Sequence, residues 1–140
     1  MRGQGRFAAV NYRDPAELPD AQYPLQLTTG RAVAHYHTGT MTRRCWGLNG
    51  VHPQESLEIN PLDAEQLGIK NDEAIRVISR RGAVETKAQL TKRVPPGLTF
   101  MTFHFSESPG NRLTNSARDP VAGTPEFKVC AVRVEKINGL

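Results

Sequence analysis

The fold class of this chain follows from residues 74–90, Ala-Ile-Arg-Val-Ile-Ser-Arg-Arg-Gly-Ala-Val-Glu-Thr-Lys-Ala-Gln-Leu. After the turn at 80–82, apolar side chains such as Val84 alternate with charged ones such as Glu85. This period of two is typical of a strand with one buried face. Two such segments around a short turn that contains glycine predict an antiparallel hairpin. We place its strands at 74–79 and 83–90.

Other segments outside the hairpin show strand patterns as well. They are rich in β-branched, aromatic or alternating residues, and we place these strands at 24–29, 56–60, 98–103 and 127–137. In the last of them Cys130, Val132 and Val134 share one face, which places Cys130 in the core. We therefore predict a mainly β fold, a barrel closed by hairpins and crossovers, with a few short helices.

One short helix has clear start and stop signals. Asn60 suits the N-cap, Pro61 the first helical position, and Asp63 complements the helix dipole. Gly68 stands where a left-handed residue ends many helices. These signals predict a helix over 61–67, and a further helical turn is expected within 42–50.

The composition indicates one domain without a membrane segment. The chain has 140 residues and a formal charge of +4, and no apolar run approaches membrane-spanning length. No secretory signal begins the chain, so we expect a soluble, cytoplasmic protein. Cys45 and Cys130 stand alone, which excludes a four-cysteine zinc site or a self-contained iron–sulfur cluster and favours reduced thiols.

The first residues differ from the rest of the chain. Residues 1–22 have few apolar positions, and we expect a connector or arm that is partly disordered, with Phe7, Val10 and Tyr12 as candidate anchors. Residues 23–140 are then the barrel domain.

Two polar segments follow predicted strands, and we name them the first loop (28–44) and the second loop (104–118). Both carry threonine, arginine and histidine, and the second also asparagine, where a core would need aliphatic side chains. Backbone N–H groups, hydroxyls and arginine forks suit a large anionic ligand. The alternatives that need no ligand are solvated loops and, for Asn111 and Asn115, simple turn formation.

Common catalytic motifs are missing from the sequence. His35 and His37 have no nearby acidic or cysteine residue that would complete a metal site. No GxGxxG, P-loop or nucleophile elbow occurs. A nucleotide would therefore have to bind through loops on the barrel, and a small self-contained enzyme would need a catalytic dyad that we do not find.

From Tyr23 to Ile137 the sequence resembles the C-terminal domain of the catalytic (alpha) subunit of molybdenum- or tungsten-dependent formate dehydrogenases, in the molybdopterin oxidoreductase family. The motif His-Tyr-His-Thr-Gly-Thr-Met-Thr-Arg-Arg at 35–44 carries much of the resemblance. The other matching segments are 23–25, 29–31, 58–61, 67–69, 79–82, 111–115 and 124–133.

The resemblance implies a double-psi β-barrel that holds part of a bis(molybdopterin guanine dinucleotide) cofactor between the two loops. The residues that it implies as cofactor contacts are Thr29, Gly30, Arg31, His37, Thr38, Gly39, Thr40, Arg43, Asn111, Thr114, Asn115 and Lys128. Lys128 would lie near the pterin end. Phe127 stands where many relatives carry tyrosine, so a hydrogen bond from that hydroxyl is absent.

The resemblance also implies which parts lie elsewhere. The iron–sulfur cysteines, the metal ligand and the active-site residues of that family belong to earlier domains, so the partners expected here are the cofactor and the remaining domains of the catalytic subunit. Molybdenum or tungsten would be held by the complete enzyme, and this chain alone would be inactive. The alternative is a basic β-barrel that binds nucleic acid or a protein partner, but clustered stacking aromatics are missing.

Overall fold

The computed structural model describes residue 3, residue 5 and residues 7–137. The predicted start of the arm includes residues 1, 2, 4 and 6, and the predicted barrel domain includes 138–140; these positions lie outside the described residues.

Six strands form a closed barrel, with neighbours in the order β1-β5-β2-β4-β3-β6. The pairs β1–β5 and β2–β4 are parallel and the other pairs are antiparallel. The strands are β1 Leu25–Gly30, β2 Ser56–Ile59, β3 Ala74–Ser79, β4 Gly82–Leu90, β5 Leu98–Thr102 and β6 Cys130–Lys136. This confirms the predicted mainly β fold, a double-psi β-barrel with a few short helices.

Two short α-helices and two 3-10 turns lie between the strands. Their bounds are α1 Trp46–Val51, α2 Pro61–Gln66, and 3-10 turns at Thr42–Arg44 and Gly110–Arg112. Asn60 caps α2 by accepting a hydrogen bond from the Leu62 amide at 3.0 Å, and Gly68 has a φ of +65°. The predicted helix and both of its end signals are confirmed.

The hairpin is also confirmed. Strands β3 and β4 pair antiparallel, with Ser79 opposite Gly82, so Arg80 and Arg81 form a two-residue turn. Val84 is buried in the barrel whereas Glu85 is exposed. The alternation in the sequence therefore gives the orientation of this strand.

Apolar side chains from all six strands fill the barrel. Leu27, Leu57, Ile59, Ile75 and Met101 are fully buried. Cys130 joins them with 1% of its surface exposed, and both cysteines are free thiols. Burial raises the pKa of the Cys130 thiol to about 11, which makes it an inert core residue.

Two expectations about the ends of the chain are wrong. The last strand begins at Cys130 and not at Phe127, because residues 127 and 128 form a turn, in which the Phe127 carbonyl accepts a hydrogen bond from the Thr29 hydroxyl and Lys128 donates to the Thr29 carbonyl. Phe7, Val10 and Tyr12 do not anchor the arm, since each is at least 85% exposed.

Candidate functional site

The two loops leave the same edge of the barrel. Strands β1 and β5 are parallel neighbours, and their last paired residues are Gly30 and Thr102. Because parallel strands end together, the chain that follows β1 and the chain that follows β5 emerge side by side. The fold thereby joins two segments that are far apart in the sequence.

His104 fastens the loops to each other. It is fully buried, its Nε2 accepts a hydrogen bond from the Ala32 amide at 2.9 Å, and its Nδ1 donates to the His37 carbonyl. An amide N–H can donate only to an unprotonated nitrogen, so the ring is the neutral Nδ1–H tautomer. Burial lowers the pKa of His104, and the neighbouring His35 and Arg31 charges act in the same direction, against the hydrogen bond to His37.

A cleft of about 640 Å³ opens where the loops meet. No carboxylate is among the side chains that line it, which are Arg31, His37, Phe103, Asn111, Phe127 and Lys128. The lining combines two cations, two flat apolar rings, one imidazole and one amide. Such a surface suits a ligand that joins negative charge to flat rings.

The two cations of this cleft are available to a ligand. Among the described residues, the Arg31 side chain has one hydrogen-bond partner, the His37 ring nitrogen at 3.4 Å, and its guanidinium lies 5.8 Å from the centre of the Phe103 ring. Lys128 donates to the Thr29 carbonyl at 2.6 Å and lies 5.5 Å from the Phe127 ring. Within the described residues neither cation forms an ion pair with a carboxylate.

A second cleft of about 380 Å³ lies on the first loop. Its lining residues are Thr38, Gly39, Thr40, Arg43, Arg44, Asn49 and Ser106. The hydroxyls of Thr38 and Thr40 are 3.0 Å apart. Arg43 does not point freely into this cleft, because both of its terminal nitrogens contact Glu107 of the second loop.

Four of the residues that the resemblance implies line neither cleft. Thr29 is buried and bonded to Phe127, and a Cβ on Gly30 would come within 2.5 Å of the Phe100 ring. Thr114 donates to the Asn111 carbonyl at 2.9 Å. The Asn115 side chain donates from Nδ2 to the Glu126 carboxylate and the Val129 carbonyl, and its Oδ1 accepts a hydrogen bond from the Ala117 amide. In this structure these four residues shape the loops.

Three residues of the site were not among the predicted contacts, although Phe127 was noted for the tyrosine hydroxyl that it lacks. Phe103 and Phe127 supply the rings of the larger cleft, and Glu107 neutralises Arg43. The position of Phe103 at the end of a predicted strand, beside a polar loop, was a usable signal. Nothing local marks Glu107, since its partner lies 64 residues away.

Neither a metal cluster nor a membrane helix occurs in the part of the chain that the structure covers. Among residues 3, 5 and 7–137, no three His, Cys, Asp or Glu side chains gather as metal ligands would. His35 is buried and bonded to the His52 carbonyl at 2.6 Å. Over the same residues, every helix is too short or too polar to span a bilayer.

Comparison with known proteins gives relatives for nearly the whole chain. It is 52% identical over 135 residues to the F420-dependent formate dehydrogenase 2 subunit alpha of Methanococcus maripaludis, and 51% identical over 135 residues to the F420-dependent formate dehydrogenase subunit alpha of Methanocaldococcus jannaschii. Each match covers 96% of this chain and 20% of the relative. The chain therefore spans about a fifth of the length of these relatives.

A solved structure and a family model agree with these matches. Acetylene hydratase from Pelobacter acetylenicus aligns with 91% of this chain and 21% of its own, with a TM-score of 0.74 and 17% identity, a level at which only the fold is shared. The model of the family described as "Molydopterin dinucleotide binding domain" matches residues 25–131. Since those residues include five strands of the barrel and both loops, the chain belongs to the molydopterin dinucleotide binding domain family.

Proposed function

We propose that this domain binds a molybdopterin guanine dinucleotide in the catalytic subunit of a molybdenum- or tungsten-dependent formate dehydrogenase. The observation that carries the proposal is the larger cleft, which holds two cations and two phenylalanine rings and is lined by no carboxylate. Family membership supports a molybdopterin-type cofactor. The relatives' names support the formate dehydrogenase. No observation favours the nucleic-acid alternative.

The donor set of the cleft fits such a cofactor. Arg31 and Lys128 offer N–H groups and positive charge to phosphate oxygens, while Phe103 and Phe127 offer faces for a flat ring. Asn111 offers an amide to a ring edge. The hydroxyls of Thr38 and Thr40, in the adjoining cleft, can donate to further phosphate oxygens.

The cofactor would supply the metal that accepts the two electrons of formate oxidation. This chain would bind and orient it, and we assign no catalytic residue here. The remaining domains of the subunit are the proposed partner, since the chain is about a fifth of its relatives. Exposed apolar side chains between residues 33 and 51, on and beside the first loop, are the proposed contacts with those domains: Val33, Tyr36, Met41, Trp46 and Val51.

A titration of GDP into the isotope-labelled chain tests the proposal. GDP carries the guanine and the charged phosphates without the pterin. We expect the amides of Arg31, Gly39 and Asn111 to shift together, and binding to weaken as salt screens the phosphate contacts. Guanosine, which lacks phosphate, should shift the same amides less at equal concentration.

A matched pair of variants completes the test. Arg31→Ala should weaken GDP binding, whereas Arg13→Ala, which removes an exposed arginine from the arm, should not. Shifts confined to the hairpin at 77–86, or a response in one loop without the other, would show that the shared site is wrong.

A further inference from the structure

Arg43 is held by contacts along its whole length. Its amide donates to the Gly39 carbonyl at 2.9 Å, and its stem fills the space beside Gly39, where a Cβ would come within 2.7 Å of Arg43 Cδ. Its guanidinium lies 4.8 Å from the centre of the buried Phe105 ring. The side chain therefore has one well-defined place in the structure.

The guanidinium has no free edge for a phosphate. Nη1 donates to Glu107 Oε2 at 3.0 Å and Nη2 to Oε1 at 2.6 Å, which occupies the end-on edge. The side-on edge includes Nε, which is buried without a hydrogen-bond partner. Bidentate recognition of a phosphate needs one of these two edges.

Glu107 is the exposed partner of this pair, with 64% of its side chain accessible. The hydrogen bonds from Arg43 lower the pKa of Glu107 to about 2, so the carboxylate stays ionised at any pH near neutrality. The ion pair connects the first loop to the second loop. It does so a few residues beyond His104, which makes another connection between them.

We propose that Arg43 is a positioning residue, whose ion pair with Glu107 clamps the two loops at the spacing that the larger cleft needs, and that it does not itself bind ligand phosphate. The rival arrangement makes Glu107 a substitute anion that a ligand displaces from Arg43. The two arrangements predict opposite effects of removing the Glu107 charge. Only the ligand used in the test rests on the proposed function.

The test uses Glu107→Gln, which leaves the fold intact because the side chain is exposed, and Arg43→Ala. Each should weaken GDP binding roughly twofold to fivefold, the range of a partly exposed ion pair. The double variant should bind no more weakly than the weaker single variant, because both changes break one contact. The matched control is Glu135→Gln, which breaks the Arg133–Glu135 pair within β6 and should leave GDP binding unchanged.

Amide exchange without any ligand provides a second, independent readout. The Gly39 and Arg43 amides are hydrogen-bonded inside the first loop, and their exchange should quicken in Glu107→Gln but not in Glu135→Gln. The proposal is overturned if Glu107→Gln binds GDP more tightly than the parent chain, or if exchange at these two amides does not change. If the parent chain binds no GDP at all, the proposed function fails while the exchange comparison still decides the role of Arg43.

Discussion

Gly39 occupies a position of the first loop that no other residue suits. Its φ is +72°, and a Cβ would also meet the His104 carbonyl oxygen at 3.0 Å. Gly39→Ala should therefore cost more stability than Gly97→Ala, whose φ of +81° is similar but whose Cβ would meet nothing within 4 Å. We expect about 1–2 kcal/mol at Gly97 from the left-handed backbone, and on the order of 1–3 kcal/mol more at Gly39 from overpacking. Urea denaturation of both variants checks this, and equal losses would contradict it.

His104 should resist protonation, because a proton on Nε2 would displace the Ala32 amide. Burial lowers the pKa of His104, and likewise that of His52. As the pH falls below about 6.5, the ordinary histidine pKa, the unfolded chain takes up protons at these rings before the folded chain does. Their contribution to stability is therefore complete above that pH and is lost as the pH falls through the lowered values.

Carboxyl groups also change the stability of the chain with pH, so the protonation of His104 is best followed by NMR at the ring itself. Burial raises the pKa of Glu55 despite hydrogen bonds from Thr102 and Ser56, so Glu55 contributes the opposite slope, a loss of stability as the pH rises above about 4.5. A titration followed at the His104 ring carbons should show the neutral Nδ1–H tautomer persisting below pH 6.5. A midpoint at or above that value would refute the assignment.

Among the elements, helix α2 is linked through its N-cap residue, Asn60, to the turn at Val94. The Asn60 side chain caps the helix through Oδ1 and donates from Nδ2 to the Val94 carbonyl at 2.7 Å. Asn60→Ala should lose about 1 kcal/mol for the cap, and the buried carbonyl left without a donor adds on the order of 1–2 kcal/mol. Asn60→Asp keeps the oxygen that caps the helix but loses the N–H donor to the Val94 carbonyl. Thermal unfolding of this variant should therefore show the loss of that donor and the cost of a charge beside Val94, but not the loss of the cap. Equal stability of the alanine variant and the parent chain would contradict both roles.

The contrast between α2 and β6 explains what the sequence can predict. Cap, proline and glycine signals lie within a few residues of α2, and alternation within β4 defines the hairpin, so local patterns were sufficient there. The turn just before β6 contacts Thr29, about a hundred positions earlier, and no local pattern records that contact. The site divides in the same way, since polar composition and the family resemblance indicated Arg31 and Asn111. Phe103 and Glu107 follow β5 and reach the site through the parallel pairing of β1 with β5, whereas Phe127 precedes β6 and reaches it through the antiparallel pairing of β6 with β1.

Over the whole molecule, the arm is fastened to the barrel by its last residues. The Glu17 carboxylate forms an ion pair with Arg81 and lies 3.4 Å from Arg80. It also accepts a hydrogen bond from the Ala131 amide at 2.7 Å. Partial burial alone would raise the pKa of Glu17, but the Arg81 hydrogen bond, the amide and the arginine charges together lower it. Asp20 adds a second contact with Arg80.

Two truncations test whether this attachment stabilises the barrel. A chain that begins at residue 13 should be as stable as the parent, because Phe7, Val10 and Tyr12 are exposed and the Tyr12 hydroxyl donates to the exposed Asp14 of the arm itself. A chain that begins at residue 22 loses Glu17 and Asp20, which leaves the Ala131 amide without its acceptor on the fully buried Ala131. That loss should cost on the order of 1–3 kcal/mol, measured by urea denaturation. Glu17→Gln in the parent chain should cost less than the longer truncation, because its amide oxygen can still accept from Ala131. If the chain from residue 22 is as stable as the chain from residue 13, the arm contributes nothing to the fold and residues 16–20 belong with the connector alone.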